Sequence, residues 1–193
     1  MILLDIVKGT QVTKNYDFFM KSISFDRKHM LNLQLEKLKK IINHSYYSVP
    51  YYKQLFDSVG LHPSDIEIIS DLNKVPILDR DVIQNKNNLL ISDLFNKKKL
   101  HKGSSSGTTG IPIEYYSDNQ GSSAGVASGY LLWSMSGWKM GQRNIHIWGN
   151  QSSIERWETP ISKIKNFIIN QKNIPSTRLS EMYALEELVN EII

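Results

Sequence analysis

Ser104-Ser105-Ser106-Gly107-Thr108-Thr109-Gly110-Ile111-Pro112 is the stretch that decides how the rest of the chain is read. Three serines, two threonines and two glycines fall inside it. Small hydroxyl residues and glycines let a backbone curl around an anion, and they offer N–H and O–H donors with nothing bulky in the way. The basic run Lys97-Lys98-Lys99-Leu100-His101-Lys102 leads into it, and Ile111-Pro112-Ile113-Glu114-Tyr115-Tyr116 leads out. A flexible linker would be flanked by polar, low-complexity sequence. These β-branched and aromatic flanks instead predict a turn between two strands, Leu100 to Lys102 entering and Ile111 to Tyr116 leaving. The turn is not a Walker loop, because no Gly-Lys-Ser/Thr follows at the required spacing and no lysine lies between Ser104 and Pro112. The G-x-G-x-x-G dinucleotide fingerprint is absent too. What remains is a hydroxyl-rich turn suited to a polyphosphate.

The whole chain sets the bounds. It has 193 residues, 40% hydrophobic and 10% aromatic, enough for a packed core. Its net charge of +4 mildly favours anionic partners and argues against a dedicated nucleic-acid binder. With no cysteine, disulfides, thiolate catalysis and cysteine-based zinc sites are excluded. No apolar run approaches the roughly 18 residues a membrane span needs. The start, Met1-Ile2-Leu3-Leu4-Asp5, lacks the basic and long apolar regions of a secretory signal, so a cytoplasmic protein is expected.

Upstream of the turn the pattern is helical. Residues 1–29 form a lead-in, irregular or helical. From Met30, Leu31, Leu35, Leu38, Ile42 and Tyr46 recur at three- or four-residue spacing and predict an amphipathic helix. Val49-Pro50 ends it. Pro50 opens a second helix, Tyr51 to Val59, which Gly60 closes. Ser64 is the expected N-cap of a turn at Pro63-Ser64-Asp65. Another short turn is expected at Ser70-Asp71-Leu72. Asp79 is the expected cap of a helix running from Arg80 into Asn85 to Asn88.

Downstream, Ser117 and Gln120 make an S-x-x-Q capping box, which nominates Ser117 as the N-cap of a long helix. Gly121, Gly125 and Gly129 recur every fourth residue and predict a small face closely packed on another element. Gly137 ends this helix. Arg143 to Trp148 alternates with period two and reads as a strand. Residues 152–169 and 180–193 read as helices, the last with Ser180 as a cap. The strand–helix–strand order points to an α/β fold.

With these residues in place, a family resemblance becomes visible. Ser105 to Pro112, SSGTTGIP, resembles the phosphate-binding signature of adenylate-forming enzymes. Leu35 to Leu61, followed by DLNKVPILDRDVI at Asp71 to Ile83, resembles the N-terminal part of phenylacetate–CoA ligase-like proteins. That includes the branch associated with capsular polysaccharide biosynthesis, in which a long helix and a strand ending in Trp-Gly follow the loop; Trp148-Gly149 fits that place. The resemblance spans roughly residues 30–193 and implies a partial N-terminal adenylation domain. It implies that Ser105, Ser106, Gly107, Thr108, Thr109 and Gly110 grip the β- and γ-phosphates of ATP, with Mg2+ accompanying them. The implied reaction joins a small-molecule carboxylate to ATP, giving an acyl-adenylate and pyrophosphate. A thiol such as coenzyme A, or another nucleophile, then takes the acyl group.

The chain departs from that family in two respects. Many members carry a lysine beside the loop's proline, where this chain has Ile111 and Ile113; Lys99 or Lys102 is the expected substitute charge. Family members are also more than twice as long. Residues 113–193 contain no aromatic-Gly-x-Thr-Glu segment, and no counterpart of the hinge or of the mobile domain with its catalytic lysine is found. The expectation is therefore an incomplete domain, inactive by itself, with no catalytic residue assigned. The alternative is a non-catalytic remnant or interaction module whose unfinished sheet edge favours self-association.

The other candidates have plainer readings. His29, His44, His62, His101 and His146 show no ligand-like pairing, so no metal cluster is expected. His101, just ahead of the loop, reads as a surface histidine rather than a phosphate contact, and His146 as a packed one. The four tryptophans lie in amphipathic segments and read as core rather than as base-stacking platforms.

Overall fold

The computed structural model describes residues 2–105, 112–148 and 158–176. The chain divides into two compact units, Asp5–Leu131 and a second made of Met1–Leu4 with Leu132–Ile193.

The first unit is mainly helical. The lead-in forms α1 (Ile2–Lys8) and α2 (Val12–Ser22). Asp5 holds the turn between them: its carboxylate accepts from Thr10 Oγ1 at 2.6 Å, Val12 N at 3.1 Å and Thr13 N at 2.8 Å. Burial pushes this carboxyl up, but the Thr10 hydroxyl and the backbone donors outweigh that and hold it below the usual value. Gln11 N donates to Ser123 Oγ at 3.1 Å, a bond across 112 residues of sequence that ties the start of α2 to the helix after the hydroxyl-rich stretch.

The amphipathic repeat folds as α3 (Arg27–Ser48), starting three residues before Met30 because Asp26 accepts from His29 N at 2.7 Å and caps it. Pro50 is the first residue of α4 (Pro50–Ser58), where its missing N–H costs nothing. Gly60, at φ +67, turns the chain away in a conformation that L side chains rarely adopt. Ile42, Phe56, Leu61 and Ile66 are buried together, with Leu38, Tyr46, Tyr52, Leu55 and Val75 packed around them. This core covers one face of α3 and α4.

The short turns that follow are 3-10 helices. At Pro63–Asp65 the cap is His62, not Ser64: His62 Nδ1 accepts from Ser64 N at 3.3 Å while Asp65 Oδ2 accepts from His62 N at 2.8 Å. Pro63 takes the first helical position, so the capping position falls one residue before it. In Ile69–Lys74, Asp71 Oδ2 accepts from Glu67 N and Ile68 N at 2.8 and 2.9 Å, and Lys74 lies 3.0 Å from its other oxygen. Asp79 precedes α5 (Arg80–Asn85) but makes no side-chain cap bond, and α5 stops at Asn85; Asn87–Leu90 is a separate 3-10 turn.

Asp71 gives a pH prediction. The backbone N–H of Ile68, the Lys74 ammonium and the Glu67 N–H hold its carboxyl at about 2, against an ordinary 3.8. A pKa lowered by folding means stabilisation that is fully present above the ordinary value and lost as pH falls through the folded one. Asp71→Asn is expected to lower the thermal midpoint at neutral pH and to flatten its decline between about pH 4 and pH 2. An unchanged slope would show that the carboxylate contributes nothing.

The hydroxyl-rich stretch joins two antiparallel strands, β1 (His101–Ser104) and β2 (Glu114–Ser117). β2 begins at Glu114 rather than Ile111; Ile113 only meets Ser105 at the neck, and Ile111 lies outside the described residues. Next comes α6 (Asn119–Met135). Its cap is Asp118, whose Oδ1 accepts from Gly121 N at 2.7 Å; Ser117 is still in β2, and its hydroxyl meets Ser122 Oγ at 2.9 Å. The small glycine face is not the packed one. Ser123, Ala127 and Tyr130 are buried instead, and a Cβ at Gly125 or Gly129 would meet nothing within 4 Å among the described residues.

The second unit contains a strand–helix–strand unit: β3 (Asn144–Trp148), α7 (Pro160–Ile168) and β4 (Gln171–Pro175). β3 and β4 pair in parallel, Asn144 opposite Gln171 through Trp148 opposite Pro175, which requires the crossover that α7 provides. Thr159 caps α7, its Oγ1 accepting from Ser162 N at 3.3 Å. Asn170, at φ 54, makes the turn into β4, and its side chain donates to Gly141 O at 3.3 Å. Ile169 and Ile174 are buried here, and the Trp133 ring meets Trp138 edge-on at 5.5 Å. The expected helix at 180–193 lies outside the described residues.

Candidate functional site

The site is built outward from the β1–β2 hairpin. Four residue pairs run from His101 opposite Ser117 to Ser104 opposite Glu114. Beyond them the neck closes on Ser105: its N–H donates to Ile113 O at 2.9 Å, and its hydroxyl accepts from Ile113 N at 2.9 Å. A hydroxyl that accepts keeps its own proton to donate, so Ser105 can close the neck and still offer an O–H to an anion. Of the six nominated phosphate-binding residues, Ser105 is the described one. Ser106, Gly107, Thr108, Thr109 and Gly110 lie outside the described residues.

Tyr115 explains why residue 103 is glycine. Its ring lies across Gly103, and a Cβ there would come within 2.3 Å of the ring. A glycine covered by a cross-strand aromatic is a device that fixes hairpin register and twist. Neither residue was singled out from the sequence. The signal was present, since Gly103 and Tyr115 stand on opposite flanks of the hydroxyl-rich stretch in positions that pair once the hairpin forms.

The flanking cations are largely committed. Lys102, one of the two expected substitute charges, pairs with Glu114 across the strands, and that contact raises the lysine's pKa. Lys97 donates to Asn88 Oδ1 at 2.6 Å and sits 4.8 Å from the centre of the Tyr116 ring. Lys99, the other candidate, borders a polar recess with Asn96, Asn119 and Gln120. Asn87 Nδ2 donates to Glu114 O at 2.9 Å and braces β2 from the side. His101 is exposed and donates from Nε2 to Asn119 Oδ1 at 2.6 Å, which makes it a link to α6 rather than a phosphate ligand.

The described donor at the neck is the Ser105 hydroxyl, a group from which a phosphate oxygen can accept. A magnesium site is another matter: among the described residues no group of three or more His, Asp and Glu side chains is placed to hold a metal ion. Glu114 is paired to Lys102, and Asp118 caps α6. No step can be assigned to magnesium on these residues. No helix among the described residues is long and apolar enough to cross a membrane.

No family model matches the chain. It is 36% identical to the phenylacetate-coenzyme A ligase of Aromatoleum evansii over 80 residues, 42% of this chain and 18% of that one. It is 23% identical to the phenylacetate-coenzyme A ligase of Thermus thermophilus over 148 residues, 70% of this chain and 33% of that one. The chain thus spans a third or less of the length of these relatives. Among solved structures, 2-hydroxyisobutyryl-CoA ligase in the postadenylation state, in complex with R3-HIB-AMP, superposes with a TM-score of 0.52 at 13% identity. That match covers 79% of this chain and 32% of the other. By shared sequence with the first group and shared fold with the second, the chain is related to the adenylate-forming CoA ligases and has the α/β fold of part of one.

Proposed function

We propose that residues 30–193 are the phosphate-gripping N-terminal portion of an ATP-dependent carboxylate-activating ligase. In the complete reaction a carboxylate oxygen attacks the α-phosphorus of ATP, a P–O bond breaks, and pyrophosphate departs. A thiol such as that of coenzyme A then attacks the acyl carbon and AMP leaves. Donors aimed at the departing pyrophosphate stabilise the charge that grows on it. The substrate is an aryl acid or, under the finer assignment to the branch that builds surface polysaccharide, an acid or amino acid destined for that polymer.

The observation that carries this reading is the hairpin neck. A segment of small hydroxyls and glycines joins two paired strands whose junction Ser105 and Ile113 close. The chain's own part is to bind and orient the triphosphate; the acid site and the proton-moving groups belong to the rest of the ligase. Pyrophosphate exchange with ATP and Mg2+ tests this, alongside equilibrium binding of ATP. The isolated 193-residue chain is expected to bind ATP weakly and to catalyse no exchange. Robust exchange by these residues alone would overturn the assignment of the catalytic groups to the remainder.

A second reading is a non-catalytic interaction module. It is favoured by α7, whose Ile161, Ile164 and Phe167 are 75%, 62% and 87% exposed. Parallel strands normally have both faces covered, and such a helix is suited to packing against further polypeptide. Self-association of a chain that fails to bind ATP at all would favour this reading over the first.

A further inference from the structure

Within the first unit, bordered by β2 of the hairpin, lies a cleft of about 580 Å³. One wall is the end of α3 and the start of α4; the facing wall is β2. Tyr52, Phe95, Tyr115 and Tyr116 contribute to its lining, with aliphatic residues between them; Tyr115 and Tyr116 are successive in β2, so their rings point to opposite faces of the hairpin. Its volume falls in the roughly 300–1,000 Å³ range of small-molecule sites, which are mostly apolar with a few placed polar groups.

Those polar groups are present. His44 and Ser45 on α3 and Tyr52 on α4 border the cleft. Among the described residues none hydrogen-bonds to the Ser45 or Tyr52 hydroxyl, and His44 meets only the Phe95 ring, at 6.3 Å. Burial raises the Tyr52 phenol, so it stays a neutral donor. The charge balance is equally informative. No lysine or arginine lines the cleft, whereas Glu114 and Asp118 do. Glu114 is neutralised by Lys102, and Asp118 is occupied by Gly121 N–H. An anion would find the nearby ammonium groups already engaged, Lys102 by Glu114 and Lys97 by Asn88 and the Tyr116 ring, and a cation would find both carboxylates engaged.

We propose that this cleft binds an uncharged aromatic molecule with a hydroxyl or amide head, its ring against Tyr52 and Phe95 and its head on the Tyr52 and Ser45 hydroxyls. Ser105 is not among the described residues that line the cleft, and the ligand differs in charge from a carboxylate substrate. The inference therefore stands whether or not the chain binds ATP.

The test is titration of the full chain with benzamide, benzoate and benzylammonium, read by backbone amide chemical shifts. Benzamide is expected to give saturable shifts confined to residues of α3, α4, the segment from Leu78 to Leu100, and β2. Benzoate and benzylammonium are expected to bind at least about tenfold more weakly, as desolvating an unpaired charge requires. Tyr52→Phe keeps the ring in the core and removes one hydrogen bond, so benzamide affinity should fall about five- to tenfold. Ser45→Phe should fill the cleft and abolish binding, and if that variant does not fold, the Tyr52→Phe titration decides. Absence of saturable shifts, shifts scattered outside the cleft, equal affinity for benzoate, or an unchanged Tyr52→Phe affinity would each overturn the proposal.

Discussion

Phe56→Ala is expected to destabilise the chain by about 3–5 kcal/mol, the range for removing a fully buried phenylalanine. Phe56 is 0% exposed and sits at the centre of the cluster with Ile42, Leu61 and Ile66. Tyr46 stacks on it at 6.1 Å, and Tyr52 meets it edge-on at 6.1 Å. The substitution loses the transfer free energy of the ring, those aromatic contacts, and whatever the surroundings cannot refill. Tyr46 is held on α3, Tyr52 on α4 itself, and Leu61 and Ile66 on either side of the Pro63–Asp65 turn, so collapse into the gap will be partial. Small domains are stable by only about 5–15 kcal/mol, so this one change should consume a large share of the margin. Urea denaturation would measure it as a lowered midpoint. Phe56→Leu, which keeps most of the volume, should cost less than half as much. A loss below about 1 kcal/mol for the alanine variant would mean that the α3–α4 module is organised around some other core.

The α3–α4 module was legible because its signals are local. A 3.6-residue apolar repeat, a proline that must lie at a helix start and a glycine that must follow a helix end all act within a few residues. For the hydroxyl-rich stretch, composition carries the reading by itself: Ser105, at the closed neck of the hairpin, is its described member among the six nominated residues. The caps were less so. Several residues near each helix start could serve, and backbone direction selected Asp26, His62 and Asp118 over the nearby serines. Contacts distant in sequence left no trace at all. The Gln11–Ser123 bond makes the lead-in part of the same unit as α6, yet nothing around Gln11 announces it. β4 was missed because Gln171-Lys172-Asn173-Ile174-Pro175 has neither alternation nor β-branched enrichment. It is a strand because β3 offers it a parallel partner and Ile174 a place to be buried. The glycine spacing of α6 misled for the converse reason: a small face permits close packing but does not bring a partner to it.

Thr108→Val with Thr109→Val is the prediction with the largest expected functional effect. Valine matches threonine in shape and branching, so the backbone preference of the turn is preserved and only the hydroxyls are lost. If both hydroxyls donate to phosphate oxygens, each bond is charge-assisted and worth about 1.5–3 kcal/mol, or roughly ten- to a hundredfold in affinity. ATP affinity of the full chain should fall by at least that much for the pair. AMP affinity should hardly change, because the threonines are assigned to the β- and γ-phosphates. Thr108→Ser with Thr109→Ser keeps the donors and should restore most of the ATP binding, which separates hydrogen bonding from shape. Calorimetric titration with ATP and AMP on the three proteins measures all of these. The difference between the two nucleotides is the decisive readout: a general loss of folding or of charge would weaken both alike. Lys102 is paired with Glu114, which leaves Lys99 as the expected substitute charge beside the neutral donors. If the valine pair binds ATP as tightly as the parent chain, the stretch from Ser104 to Pro112 is a structural turn, and the phosphate reading of this hairpin fails with it.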